Sequence, residues 1–232
     1  MSPSVRGGMK ATHERQNTGL DMASLSLRQV NQSPQKAEAG SFAVSHPRGA
    51  HALAAGRACG VPVAELTTLA RAALVADLGA VGVPSGVWER PGPLGVDETE
   101  RVRLHPYLSE RVLGRCRGLR PVAALAGAHH ERLDGSGYHR GCTGAGLPAT
   151  ARLLAAADVW TALREDRPHR PSHAPAQARD VLWAEVTEGR LDATAADAVL
   201  SVDGQPGHQR LPHPAGLSDR EVEVLRLICR GH

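Results

Sequence analysis

Aromatic residues are nearly missing from this 232-residue chain: they make up 3%, and Phe42 is the one phenylalanine. A core must then be built from Leu, Val and Ala, and Ala, the best helix former, favours an all-helical fold. Lysine is equally scarce, with Lys10 and Lys36 alone near the N-terminus. Every later cation is Arg or a protonated His, so any grip on phosphate in the folded part is Arg-based. Cys59, Cys116, Cys142 and Cys229 form no CxxC pair, which reads as a reduced, cytoplasmic protein. No apolar run is long enough to span a bilayer, and the N-terminus lacks the apolar core of a secretory signal. The net charge of +3 is too small to argue for nucleic acid or membrane.

What is present is 41% hydrophobic residues, enough for one domain with a core plus extra segments. Residues 1–40 are polar and aperiodic and read as a disordered tail. Residues 41–202 read as the folded domain, 203–216 as a linker, and 217–232 as a short C-terminal helix. Within the domain, a helix ends at Gly60, with Pro47 kinking it or opening it. A second helix is expected over 63–79, with Leu66, Leu69, Ala70, Ala73, Leu74 and Asp77 on one face. Asp97 offers an N-cap with Glu100 three residues on, and the helix it starts runs to about His105. Pro121 opens the helix expected to carry His129 and His130, and Pro148 opens one with Asp158 in its apolar middle. Helices over 176–188 and 192–202 complete an all-α bundle.

Two carboxylates, Asp77 and Asp158, therefore sit in apolar settings. A buried carboxylate is costly unless it is paired or bound to a cation. The most specific stretch is His129-His130-Glu131-Arg132-Leu133-Asp134-Gly135-Ser136-Gly137-Tyr138, two adjacent histidines before a Gly-rich loop. Successive helical residues point about 100° apart, so the two imidazoles would reach two neighbouring points rather than one. Asp77, His105, His129, His130 and Asp158, with His46, supply N and O ligands from separate segments, the kind of set that metal-assisted phosphoester cleavage needs.

From about Ser41 to Pro171 this order resembles the HD-GYP family of metal-dependent phosphodiesterases that open cyclic dinucleotides. The resemblance implies an HD-type helical bundle and a divalent metal, Mn or Fe. It makes Asp77 the bridging, catalytic carboxylate, with His105, His129 and His130 as ligands of one metal and His46 and Asp158 as ligands of the other. Arg167 and Arg170 match positions that hold phosphate, although the pair could equally cap the preceding helix. Glu131 and Asp134 order the loop behind the ligands, and Gly135 and Gly137 would let backbone approach a ligand.

The departures are as informative. Where the family reads HD-x-G-K, this chain has Ala76-Asp77-Leu78-Gly79-Ala80. A metal ligand is absent at Ala76 and a phosphate cation at Ala80. His139 stands where GYP has proline, Thr161 where the family has a second Asp, and the spacing from His46 to Gly60 is short. One ion rather than two is the expectation, and Ala76→His with Ala80→Lys should raise metal occupancy. The C-terminal LSDREVEVLRLICRGH resembles the first helix of a LuxR-type helix-turn-helix without its recognition helix, so specific DNA binding is not expected. Two classes stay open. One is a catalytically impaired regulatory module that binds a cyclic dinucleotide, another phosphoester or a protein partner. The other is an active phosphohydrolase.

Overall fold

The structure, a computed structural model, describes residues 46–167 and 170–207, together with Glu221, Val224, Leu225 and Ile228. Its named elements are all helical. The tail expected over 1–40 and linker residues 208–216 lie outside the described residues. So does most of the expected C-terminal segment, where the four described residues are helical and Val224, Leu225 and Ile228 are exposed. No helix among the described residues is long and apolar enough to cross a membrane.

Proline and glycine set many of the boundaries. Pro47 opens α1 (Pro47–Ala58) at a position where a missing N–H breaks no helical bond. The chain reverses through Gly60, at φ 71°, into α2 (Val63–Val75). The helix expected to reach residue 79 stops short. After Val75 the chain tightens into a 3-10 turn over Leu78–Gly82, with Asp77 at its N-cap. Close packing is the reason. A Cβ on Gly79 would overlap the His105 carbonyl oxygen and the Ser109 amide of the neighbouring helix. Ser109 Oγ clamps the turn, donating to Ala76 O (2.5 Å) and accepting from Gly79 N (2.8 Å).

After the short α3 (Ser85–Trp88), α4 (Val96–Arg103) is capped two residues before the expected Asp97. Gly95 is the N-cap, because Glu98 reaches back to accept from its amide (2.8 Å). Leu104 separates α4 from α5 (His105–Leu113), which has Pro106 in its first turn. Helix α6 (Arg120–Ala126) is short, with Gly127 as its C-cap. His129 and His130 therefore lie in a turn beyond the helix, not on it as the apolar run suggests. The remaining helices are α7 (Ala149–Leu163), α8 (Pro175–Thr187) and α9 (Ala193–Val202).

Helix α7 is the axis of the bundle. Ala149 is exposed and Arg152 half-buried; every other residue of the helix is buried, and the helix packs against α1, α2, α8 and α9. A helix apolar all round is a core helix. Trp160 is fully enclosed and donates its indole N–H to Asp203 (2.8 Å), which satisfies its one polar atom. Helix α1 packs on both α2 and α7, and this crossing brings its first turn against Asp77 and Asp158.

Candidate metal centre

Five side chains converge where α2, α5, the turn after α6 and α7 meet. Asp77 caps the 3-10 turn that follows α2, His105 is the first residue of α5, and His129 and His130 come from the turn after α6. Asp158 stands in the middle of α7, and none of the five is more than 4% exposed. Asp77, His105, His129 and His130 each offer one ligand atom, and those four atoms all lie within 4.8 Å of one another.

The hydrogen bonds behind two of these rings decide what faces inward. His105 Nδ1 lies 2.6 Å from the Val102 carbonyl oxygen, and His129 Nδ1 lies 2.7 Å from that of Ala126. A carbonyl only accepts, so both Nδ1 atoms carry the hydrogen. In the neutral ring the Nε2 lone pair is then directed into the site. The two Nε2 atoms are 3.1 Å apart, and each is 3.3–3.4 Å from Asp77 Oδ1. Asp77 Oδ1 is buried without a hydrogen-bond partner. Three electron pairs directed at one point repel unless a cation sits among them. Ligand atoms about 2.1 Å from an ion stand roughly 3.0–3.4 Å from each other, so the spacing suits a divalent ion. Carbonyl-oriented imidazoles of this kind are also how metal-ligating histidines are held.

The adjacent imidazoles of His129 and His130 have centroids 4.0 Å apart and serve different carboxylates. His129 faces Asp77, whereas His130 Nδ1 lies 3.5 Å from Asp158 Oδ2. Burial, reinforced by His129, His105 and Arg132, pushes the His130 pKa well down, which keeps the ring neutral and fit to coordinate. Trp88 and Tyr138 stand edge-on to His105 and wall the site.

Arg48, which the sequence reading does not single out, lies among the carboxylates. Its Nη1 is 2.8 Å from Asp77 Oδ2 and 2.7 Å from Asp158 Oδ1, and its Nε donates to Ala73 O (3.0 Å). Only 3% of the residue is exposed. Burial alone would raise the Asp77 carboxyl, and the Arg48 guanidinium outweighs it, holding that carboxyl well below the usual carboxylate range. The signal that could have found this pairing is the pair of carboxylates itself: two buried anions in a chain without core lysines demand an arginine.

His46 and Asp158 are outside the four-ligand cluster. His46 is the N-cap residue of α1, and burial, then Arg48, pushes its pKa down to about 4. Glu131 is buried, and its two oxygens accept the amides of Arg140 and Cys142 at 2.8 Å each. It thereby ties the loop to the histidine turn. Asp134 is exposed and shapes the loop locally by accepting from the Ser136 amide and hydroxyl. Gly137 presses against the Glu131–Arg132 backbone, so the close approach expected there is to the chain itself rather than to a ligand. Arg167 and Arg170 bridge through their backbones. Arg170 donates to Ala162 O (2.9 Å) and so caps α7. Arg167 is buried, pairs with Glu165 at 3.2 Å and feels the charges of Asp158 and Asp77.

Residues 19–195 match a family model described as HD domain. Over 127 residues the chain is 38% identical to 3'3'-cGAMP-specific phosphodiesterase 1 of Vibrio cholerae, a match covering 55% of this chain and 30% of that protein. Over 144 residues it is 35% identical to the cyclic di-GMP phosphodiesterase response regulator RpfG of Xanthomonas campestris, covering 61% and 38%. The chain thus spans about a third of these relatives' length. Among solved structures, Bd1817, an HDG"Y"P protein from Bdellovibrio bacteriovorus, shares the fold with a TM-score of 0.58. The sequences are 16% identical, and the match covers 68% of this chain and 50% of that one.

Proposed function

This chain belongs to the HD-domain family, and on that premise we propose that it is a cytoplasmic signalling module that binds a divalent metal and a cyclic dinucleotide but hydrolyses the nucleotide poorly. The observation that carries the metal is the convergence of Asp77 Oδ1 with the Nε2 atoms of His105 and His129. These three, with His130, would hold Mn or Fe. When bound, such an ion supplies an activated water and draws charge from a phosphoryl oxygen. The carbonyls of Val102 and Ala126 keep the two imidazoles in the coordinating tautomer. Arg167 provides positive charge beside the carboxylates, while Arg170 is engaged in capping α7.

Ala76 and Ala80 support the impairment. Both are buried, and their methyl groups offer neither a lone pair nor a charge. The choice of nucleotide is supported by the two relatives, a 3'3'-cGAMP-specific phosphodiesterase and a cyclic di-GMP phosphodiesterase. The second reading, an active phosphohydrolase, is supported by the complete set of Asp77, His105, His129 and His130.

A hydrolysis assay with Mn²⁺ or Fe²⁺ and either cyclic di-GMP or 3'3'-cGAMP separates the two. A missing charge-stabilising group costs roughly 10²–10³ in turnover, so cleavage should be at least about a hundredfold slower than that of an intact HD-GYP enzyme. Equilibrium dialysis should still detect bound nucleotide. Robust turnover that Asp77→Ala abolishes would establish the active enzyme instead.

A further inference from the structure

We infer that the Arg48 guanidinium stands in for a second metal ion, so that the centre accepts one divalent ion and excludes another. The inference rests on the metal-centre reading above and adds the reason for its stoichiometry. Carboxylates that share a site need a cation to remain ionised together. Here the cation between Asp77 and Asp158 is built into the chain, with one nitrogen within 2.8 Å of an oxygen from each. An ion coordinated by those same two oxygens would have to overlap Nη1. Guanidinium cannot yield by losing its proton, and it has no lone pair with which to become a ligand itself.

The arginine is also fixed. Its Nε–H is held by Ala73 O (3.0 Å), and it is buried in the first turn of a helix whose start Pro47 sets. Each carboxylate is thereby divided. Asp77 gives Oδ2 to Arg48 and turns Oδ1 to His105 and His129. Asp158 gives Oδ1 to Arg48 and turns Oδ2 toward His130. With the guanidinium, one divalent ion beside the histidines already outweighs the charge of the two carboxylates. A second would set three cations against two carboxylates in a site closed to solvent, where unbalanced charge is expensive.

The sequence attributes weak binding at the second position to the ligand missing at Ala76. The geometry makes a different demand: a histidine restored at position 76 does not clear the space. The protein is loaded anaerobically with excess Mn²⁺ and desalted, then examined by elemental analysis and electron paramagnetic resonance. One manganese per chain with the hyperfine pattern of an isolated ion is expected. Two per chain with an exchange-coupled signal would overturn the inference and leave the metal centre standing. No bound manganese would overturn the metal centre, and the inference with it.

Two variants locate the cause. Ala76→His should still hold one ion, and Ala76→His combined with Arg48→Gln should hold two. Two ions in Ala76→His alone would show that Arg48 is no barrier. One ion in a double variant with native circular dichroism would show the same. Should the double variant not fold, the count in the single variant and in the unaltered protein decides.

Discussion

At the scale of single residues, backbone carbonyls orient the imidazoles of His105 and His129, and burial sets the charge of His130 and His46. His130 is driven well below its ordinary range, and His46 falls to about 4. Below about pH 6.5 an unfolded histidine takes up a proton that these folded ones refuse. Their contribution to stability is therefore complete above that pH and is lost as pH falls, for His46 down to about 4. The urea midpoint of metal-free protein should drop between pH 7 and 5, and His46→Gln should flatten that slope by up to about one proton. An unchanged slope would show that His46 is not held neutral. Asp77 and Asp158 are legible in the sequence because an anion inside an apolar run must find a cation. Arg48 is not, since α1 interleaves Arg, Gly, Ala and His without a clear apolar stripe. Nothing local tells which of the chain's many arginines crosses to a carboxylate 29 or 110 positions away.

At the scale of elements, the 3-10 turn over Leu78–Gly82 aims Asp77, and Gly79 makes the turn possible. Gly79→Ala would drive a methyl into the start of α5. We expect a destabilisation of about 1–3 kcal/mol, as for other overpacking changes, measured by chemical denaturation. Because His105 begins that helix, manganese affinity should fall as well. Calorimetry showing normal metal binding in this variant would mean that the turn does not position the ligands. The apolar period of 63–79 reads as a continuous helix because periodicity does not register how closely another backbone approaches. PVAALAGA likewise reads as helix up to the histidines, yet Gly127 ends it. The helices flanked by Pro47, Pro148 and Asp192 are the ones whose starts the sequence shows plainly, since proline and capping side chains act locally.

At the scale of the whole molecule, a metal ion would join α2, α5 and the turn after α6, segments otherwise held by alanine packing and a few polar clamps. An ion present at a hundred times its Kd stabilises the folded state by about 2.7 kcal/mol. For a domain of this size that amounts to roughly 5–10 °C in Tm. Chelator should lower the melting temperature of manganese-loaded protein by that much and leave a His129→Ala variant nearly unmoved. An equal shift in both would place the ion elsewhere. The loop beside the centre is fastened differently. Glu131 holds it through the amide hydrogens of Arg140 and Cys142, and every residue except proline has one. The loop's outward side chains are thus left open to drift. A lineage can rewrite them, and with them the surface the loop presents, while the histidines beneath keep their places.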